Sequence, residues 1–150
     1  MISFEDLVDE LLINYKLIPA VVPEFKGITV GGSIQGLAAE STSLKYGFVH
    51  DAVIEFEVVL SNGKIIKCNK DNNIDLFYGI PGSFGSIGII TKVKILCIQA
   101  KPYIKLNIKS FDNFSDLKKS LILNHQIVLN NNDNNDNNIE FLEGFALNKM

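Results

Sequence analysis

The chain has 150 residues, enough for one domain or a piece of a larger one. Its hydrophobic fraction is 47% and its formal charge is −3, which supports a core and argues against a nucleic-acid or anionic-membrane surface. No run of 18 apolar residues occurs, and the acidic start Met1-Ile2-Ser3-Phe4-Glu5-Asp6 lacks the basic region of a signal peptide, so the chain as written reads as soluble and intracellular.

Phe4, Leu7, Val8, Leu11, Leu12 and Tyr15 recur on one face and predict a helix over 3–16, with Ser3 as N-cap. Pro19 and Pro23 end it and impose an extended link. After Thr29-Val30 comes a glycine cluster, Gly31, Gly32 and Gly36, followed by Glu40-Ser41-Thr42-Ser43 and Lys45-Tyr46-Gly47. Such a cluster turns backbone N–H groups toward an anion such as a pyrophosphate. From spacing alone, an ordinary glycine-rich turn before a short helix is the favoured reading. The order of glycines is neither the dinucleotide fingerprint nor a P-loop.

Residues 52–60 predict a strand with Ile54, Phe56, Val58 and Leu60 on one face. Ser61-Asn62-Gly63-Lys64 predicts a hairpin turn, and Ile65 to Cys68 the return strand. Glu55 and Glu57 read as its solvated face. Asp75 to Tyr78 predicts a short helical turn, and residues 87–96 a β-rich run. The loop before that run, Pro81-Gly82-Ser83-Phe84-Gly85-Ser86-Ile87-Gly88-Ile89, places glycines every three residues. A strand behind such a loop can lie along an adenine or a flavin ring. A β-bulge or tight turn explains it equally.

Tyr103 to Lys109 alternates, with Ile104, Leu106 and Ile108 on one side. Residues 112–124 predict a helix carrying Phe114, Leu117 and Leu121. Asn130 to Asn138 is low-complexity and reads as a disordered loop, and Ile139 to Leu147 as a final strand. Antiparallel strands with interspersed helices give an α+β fold.

His50-Asp51 offers acid–base chemistry, but Asp51 reads better as a turn cap and neighbours on a strand face apart. Lys45 and Tyr46 suit a phosphate or ribityl contact, or plain packing with a solvated lysine. Cys68 and Cys97 sit in apolar runs and read as buried thiols. Neither histidine has metal-ligand spacing, so no metal is expected.

Taken together, the glycine motifs and the order of elements resemble the FAD-binding domain of the p-cresol methylhydroxylase (vanillyl-alcohol oxidase) superfamily. The matching series is a helix, the link Pro19-Ala-Val-Val-Pro23, Thr29-Val-Gly-Gly32, the hairpin over 52–68, Asp75-Leu76-Phe77, and Gly82-Ser-Phe-Gly-Ser-Ile-Gly-Ile-Ile-Thr91. Within it, Glu40-Ser-Thr-Ser43, Lys45-Tyr46-Gly47, Asp75-Leu76-Phe77-Tyr78, Ala100-Lys-Pro-Tyr-Ile-Lys-Leu106 and Phe141-Leu-Glu-Gly144 resemble the delta-24-sterol reductase (Diminuto/Dwarf, seladin) group. Thr42 stands where that group has a third serine, and Gly82 where it tends to have tryptophan.

The resemblance implies the second subdomain of such an FAD domain over 1–110, mainly an antiparallel sheet flanked by helices. The start of a substrate-covering region would follow over 111–150, with the Asn/Asp insert at 130–138. It implies FAD, gripped by Thr29, Val30, Gly31, Gly32, Ser33, Ile34, Gly36, Glu40 and Ser41, with Gly82, Ser83, Gly85, Gly88 and Ile89 approaching through backbone atoms. It further implies NADPH as reductant and reduction of a sterol side-chain double bond. Neither a catalytic residue nor a covalent flavin anchor can be assigned. The group's membrane anchor, which suggests the endoplasmic reticulum, and its first FAD subdomain would precede Met1, so the chain reads as an internal piece. Two alternatives are an FAD-linked oxidase of the same fold, acting on a hydroxy acid, lactone or alditol, and a non-catalytic remnant packed on a partner chain.

Overall fold

A computed structural model of the chain describes residues 1–130, 139 and 141–144. They fall in two units, 1–100 and 101–150. The first opens with α1 (Phe4–Tyr15). Ser3 caps it: its Oγ accepts from the Asp6 N–H at 3.0 Å and donates to the Asp6 carboxylate at 2.6 Å, occupying one of the donors a helix start leaves open. Lys16 ends it in the left-handed region at φ 57°. The buried stripe is narrower than the periodicity predicts. Phe4 is buried and Leu7 half-buried, whereas Leu12 and Tyr15 are exposed.

The link after α1 is a strand. β1 (Leu17–Pro19) pairs antiparallel with β5 (Cys97–Gln99), Leu17 facing Gln99 and Pro19 facing Cys97. α2 (Val30–Gln35) and α3 (Ser43–Tyr46) follow. Then β2 (Val53–Leu60), β3 (Ile65–Asn69) and β4 (Gly88–Ile95) form an antiparallel sheet in the order β3-β2-β4. The β2–β3 turn forms at Asn62-Gly63, where Gly63 takes φ 79° and Leu60 N–H donates to Lys64 C=O at 2.9 Å. α4 (Ile74–Gly79) lies on this sheet through Phe77, whose ring centroid is 5.4 Å from that of Phe56.

The register of β2 departs from simple alternation. Val53 faces Ile95 and Glu55 faces Lys94, so Ile54 is an extra residue. This bulge turns Val53 into the core and leaves Ile54 exposed, the reverse of the alternating pattern. A second shift makes Thr91 the extra residue on β4. Its hydroxyl donates to the Glu57 carboxylate at 3.0 Å, and Lys92 Nζ lies 3.2 Å from the same oxygen. The solvated row is therefore an ordered ladder, Lys67–Glu57–Lys92, across three strands.

Thr91's hydroxyl, and then Lys92, hold the Glu57 carboxyl below its ordinary value. A depressed folded-state pKa adds stability above the unfolded carboxylate's pKa, lost as pH falls through the folded value. Thr91→Val should therefore flatten the fall in urea midpoint between neutral and strongly acid pH. An unchanged pH profile would show that the hydroxyl does not hold the charge.

The core joins Phe4, Val21, Val30, Ile34, Val49, Val53, Phe56, Val58, Cys68, Phe77 and Ile80. Cys68 lies within it and Cys97 is half-buried. Both are free thiols that burial pushes above their ordinary pKa.

In the second unit, α5 (Phe114–Asn130) runs six residues past the expected end at 124. Asn113 starts it, its Oδ1 accepting from Asp116 N–H at 3.0 Å. The alternating stretch 103–109 carries the predicted pattern but joins no sheet. Of the expected loop at 130–138, Asn130 is instead the last residue of α5, and 131–138 lie outside the described residues. Of the expected strand at 139–147, residues 139 and 141–144 belong to no regular element and the rest lie outside the described set.

Candidate flavin-binding site

The first glycine cluster is helix, not turn. Thr29 is the N-cap of α2, its Oγ1 accepting from Gly32 N–H at 3.1 Å, so Gly31 and Gly32 form the helix's first turn. Val30, Ser33 and Ile34 face the core, and Ser33 Oγ donates to Val30 C=O at 2.8 Å. α1 and α2 are tied at their starts: Phe4 N–H donates to Ile28 C=O at 2.9 Å, and Val30 N–H to Ile2 C=O at 3.2 Å. A threonine cap explains why so glycine-rich a segment is helical at all.

The fold brings the two glycine motifs together. Ser83 Oγ donates to Gln35 Oε1 at 3.3 Å. Gly82, at φ 72°, lies against Leu37, where a Cβ would stand 3.2 Å from the leucine Cδ1. Gln35 and Leu37 were not singled out by the sequence, because neither residue type signals a ligand; only their place on either side of the glycine that caps α2 marks them.

What a side chain would meet at each glycine sorts the cluster by purpose. At Gly88 a Cβ would fall 2.6 Å from Val58 Cγ1 and 2.9 Å from the Val59 carbonyl oxygen. At Gly32 it would reach 2.8 Å from Thr29 Oγ1, and at Gly36 3.2 Å from the Gly32 carbonyl. These positions, with Gly82, are small because the chain itself occupies the space. Gly31 and Gly85 differ, since nothing lies within 4 Å of a Cβ at either. The N–H groups of Gly31 and Gly85 have no partner among the described residues. Beside Gly85, Phe84 and Ile89 are exposed. Open backbone and apolar side chains suit a flat, partly anionic ligand.

The segment between the motifs is folded on itself. Val49 N–H donates to Ala38 C=O at 3.0 Å and closes it. Glu40 ties two stretches: its N–H donates to Ser43 Oγ at 2.8 Å, and its carboxylate accepts from Glu24 N–H at 3.1 Å. Ser41 is half-buried. Lys45 Nζ sits 5.4 Å from the Tyr46 ring centroid. Thr42 is buried, and its Oγ1 has no hydrogen-bond partner among the described residues. An orphaned buried hydroxyl is costly inside a protein and can take its hydrogen bond from an ordered water or from a ligand. The residues present therefore fit a ligand with hydrogen-bonding groups, as FAD has.

His50 and Asp51 lie in the turn before β2 rather than on a strand. Asp51 Oδ2 accepts from Phe48 N–H at 2.8 Å, the capping role expected of it. His50 Nε2 is 3.7 Å from Asp51 Oδ1, too long for a hydrogen bond. The imidazole stacks on Phe48 at 5.5 Å, and its Nδ1 is buried without a partner among the described residues. No group of three or more metal-ligating residues exists among the described residues. No helix there is long and apolar enough to cross a membrane.

Comparison with known proteins gives a consistent result. The FAD binding domain family matches residues 2–69. The chain is 44% identical to the delta(24)-sterol reductase of Pisum sativum over 91 residues, 60% of this chain and 16% of that protein. It is 33% identical to the delta(24)-sterol reductase homolog of Caenorhabditis elegans over 140 residues, 86% of this chain and 25% of the relative. Among solved structures, 6-hydroxy-D-nicotine oxidase from Arthrobacter nicotinovorans superposes with a TM-score of 0.59 at 23% identity, over 65% of this chain and 21% of that one. The chain thus spans a sixth to a quarter of the length of these relatives. The family match, the sterol reductase relatives and the fold shared with the oxidase make this an FAD-binding domain of the p-cresol methylhydroxylase type, similar to that of the delta-24-sterol reductases.

Proposed function

We propose that the chain serves a flavin-dependent oxidoreductase that reduces a sterol side-chain double bond, with NADPH as reductant. The observation that carries the binding half of this reading is the open backbone at Gly31 and Gly85, on motifs joined by the Gln35–Ser83 contact. The substrate half is supported by likeness to the sterol reductases.

FAD, when bound, supplies the redox chemistry. The chain's own residues hold and orient it. Gly31 and Ser41 would meet the pyrophosphate and ribityl chain, and Gly85 and Ile89 the adenine or ring. Thr29, Val30, Gly32, Ser33, Ile34 and Gly36 shape the helix that presents Gly31. Gly82, Ser83 and Gly88 shape the loop that presents Gly85. Glu40 fixes the segment leading to Ser41 and Thr42.

FAD titrated into the purified chain should show quenched flavin fluorescence. Gly31→Ala separates ligand contact from folding. Its Cβ meets nothing, and alanine in place of a helical glycine should stabilise the fold by about 0.5–1 kcal/mol. If the flavin lies against Gly31, its dissociation constant should rise about tenfold, roughly 1.4 kcal/mol, in a more stable protein. Unchanged flavin affinity in that variant removes Gly31 from the site, and absence of quenching overturns the reading.

A further inference from the structure

Phe84, in the second glycine loop, takes a backbone conformation that its own side chain opposes. Its φ is 50°, beside Gly82 at 72° and Gly85 at 80°. A bulky residue at positive φ is an outlier, and it persists only where its surroundings hold it. The holding contacts are specific. Ser83 N–H donates to Ile80 C=O at 3.2 Å, and Ser86 donates to Ser83 C=O through its N–H at 3.0 Å and its Oγ at 2.7 Å. Ser83 Oγ donates in turn to Gln35 Oε1 at 3.3 Å. Phe84 is nonetheless 81% exposed, so its ring adds almost nothing to the core. One residue therefore carries two costs, backbone strain and an aromatic ring in water. Glycine, already present at 82 and 85, would remove both.

We propose, resting on the flavin reading above, that Phe84 is a stacking platform for a planar ring of FAD, the adenine or the isoalloxazine. The neighbouring positions suit a flat ligand. At Gly85 nothing lies within 4 Å of a Cβ, so a ring can approach the peptide plane closely. Ile89, where the loop enters β4, is exposed and supplies a second apolar surface. Aromatic side chains hold bases by their faces, a contact that every heteroaromatic ring offers. The serine hydrogen bonds fix the loop in advance, so little ordering is left to binding. The family match ends at residue 69, before this loop. The Ser83–Gln35 hydrogen bond joins the loop to α2, the helix that presents Gly31.

The test titrates FAD, FMN and ADP separately into the whole 150-residue chain. Phe84→Gly should leave the urea midpoint unchanged or raise it, because glycine accepts this φ freely and little burial is lost. The same substitution should weaken FAD about tenfold, within the range of one base–aromatic stack. Phe84→Tyr keeps the stacking face and should hold FAD within about twofold. The chain has no tryptophan, so Phe84→Trp places a single indole in the loop. Its emission should begin at the long wavelength of an exposed ring and move to the blue when FAD binds. Energy transfer over a distance quenches emission without that shift. The fragment whose affinity falls with FAD in Phe84→Gly names the ring, ADP for the adenine and FMN for the isoalloxazine. Unchanged FAD affinity in Phe84→Gly, or no blue shift with FAD bound, overturns the platform and leaves the flavin reading standing. A fall in both FAD affinity and urea midpoint makes Phe84 a structural residue and overturns it too. Absence of flavin quenching by the unsubstituted chain overturns both.

Discussion

Phe56→Ala should cost about 3–5 kcal/mol, a large part of the 5–15 kcal/mol that holds a typical domain together. Phe56 is fully buried on the inner face of β2, beside Cys68 of β3 and Val93 of β4 in the ladder. Its ring is 5.4 Å from that of Phe77, the buried residue of α4. Removing it takes a side chain worth about 1.5–3 kcal/mol of burial and leaves a cavity between helix and sheet. Urea unfolding checks the loss. Phe77→Ala made alongside it should give a coupling of about 0.5–1.5 kcal/mol in a double-mutant cycle. A loss below about 1 kcal/mol for Phe56→Ala would show that α4 is held by something other than this pair.

What composes the elements was largely legible. The stripe starting at Phe4 and the cap at Ser3 specify α1 by local rules, and Asn62-Gly63 specifies the hairpin by the backbone angles it permits. Where reading failed, a non-local term decided. Ile54 looked inward because alternation put it with Phe56, but the β2–β4 register inserts it as an extra residue and hands its place to Val53. Alternation over 103–109 predicts which residues share a face. It cannot say which edge will accept them, since pairing is a property of two segments.

The site shows the same division more sharply. Glycines at 31, 32, 36, 82, 85 and 88 are indistinguishable as letters. Only the positions of Thr29, Leu37 and Val58 reveal that most of them make room for the chain itself, and that Gly31 and Gly85 face open space. Thr42 was visible only as a departure from the serine of related proteins, and its orphaned hydroxyl emerges only from its surroundings.

Gly47 closes the segment between the two motifs and should be the least replaceable glycine. It takes φ 75° and ψ −160°, a region essentially closed to residues with a Cβ. That strain costs about 1–3 kcal/mol. A Cβ there would also collide with the Asp51 carboxylate and stand 2.8 Å from Asp51 Cβ. Asp51 cannot simply swing away, because its Oδ2 holds the Phe48 N–H at 2.8 Å and so shapes the turn into β2. Gly47→Ala should therefore cost about 2–6 kcal/mol, the sum of strain and crowding. Asp51→Ala separates the two. Alone it loses a charge-assisted hydrogen bond, about 1.5–3 kcal/mol. Combined with Gly47→Ala, it removes most of the collision, so the double variant should be less destabilised than the two single losses added. Strict additivity in urea unfolding would mean that backbone strain accounts for the whole cost at residue 47 and that the carboxylate does not press on it.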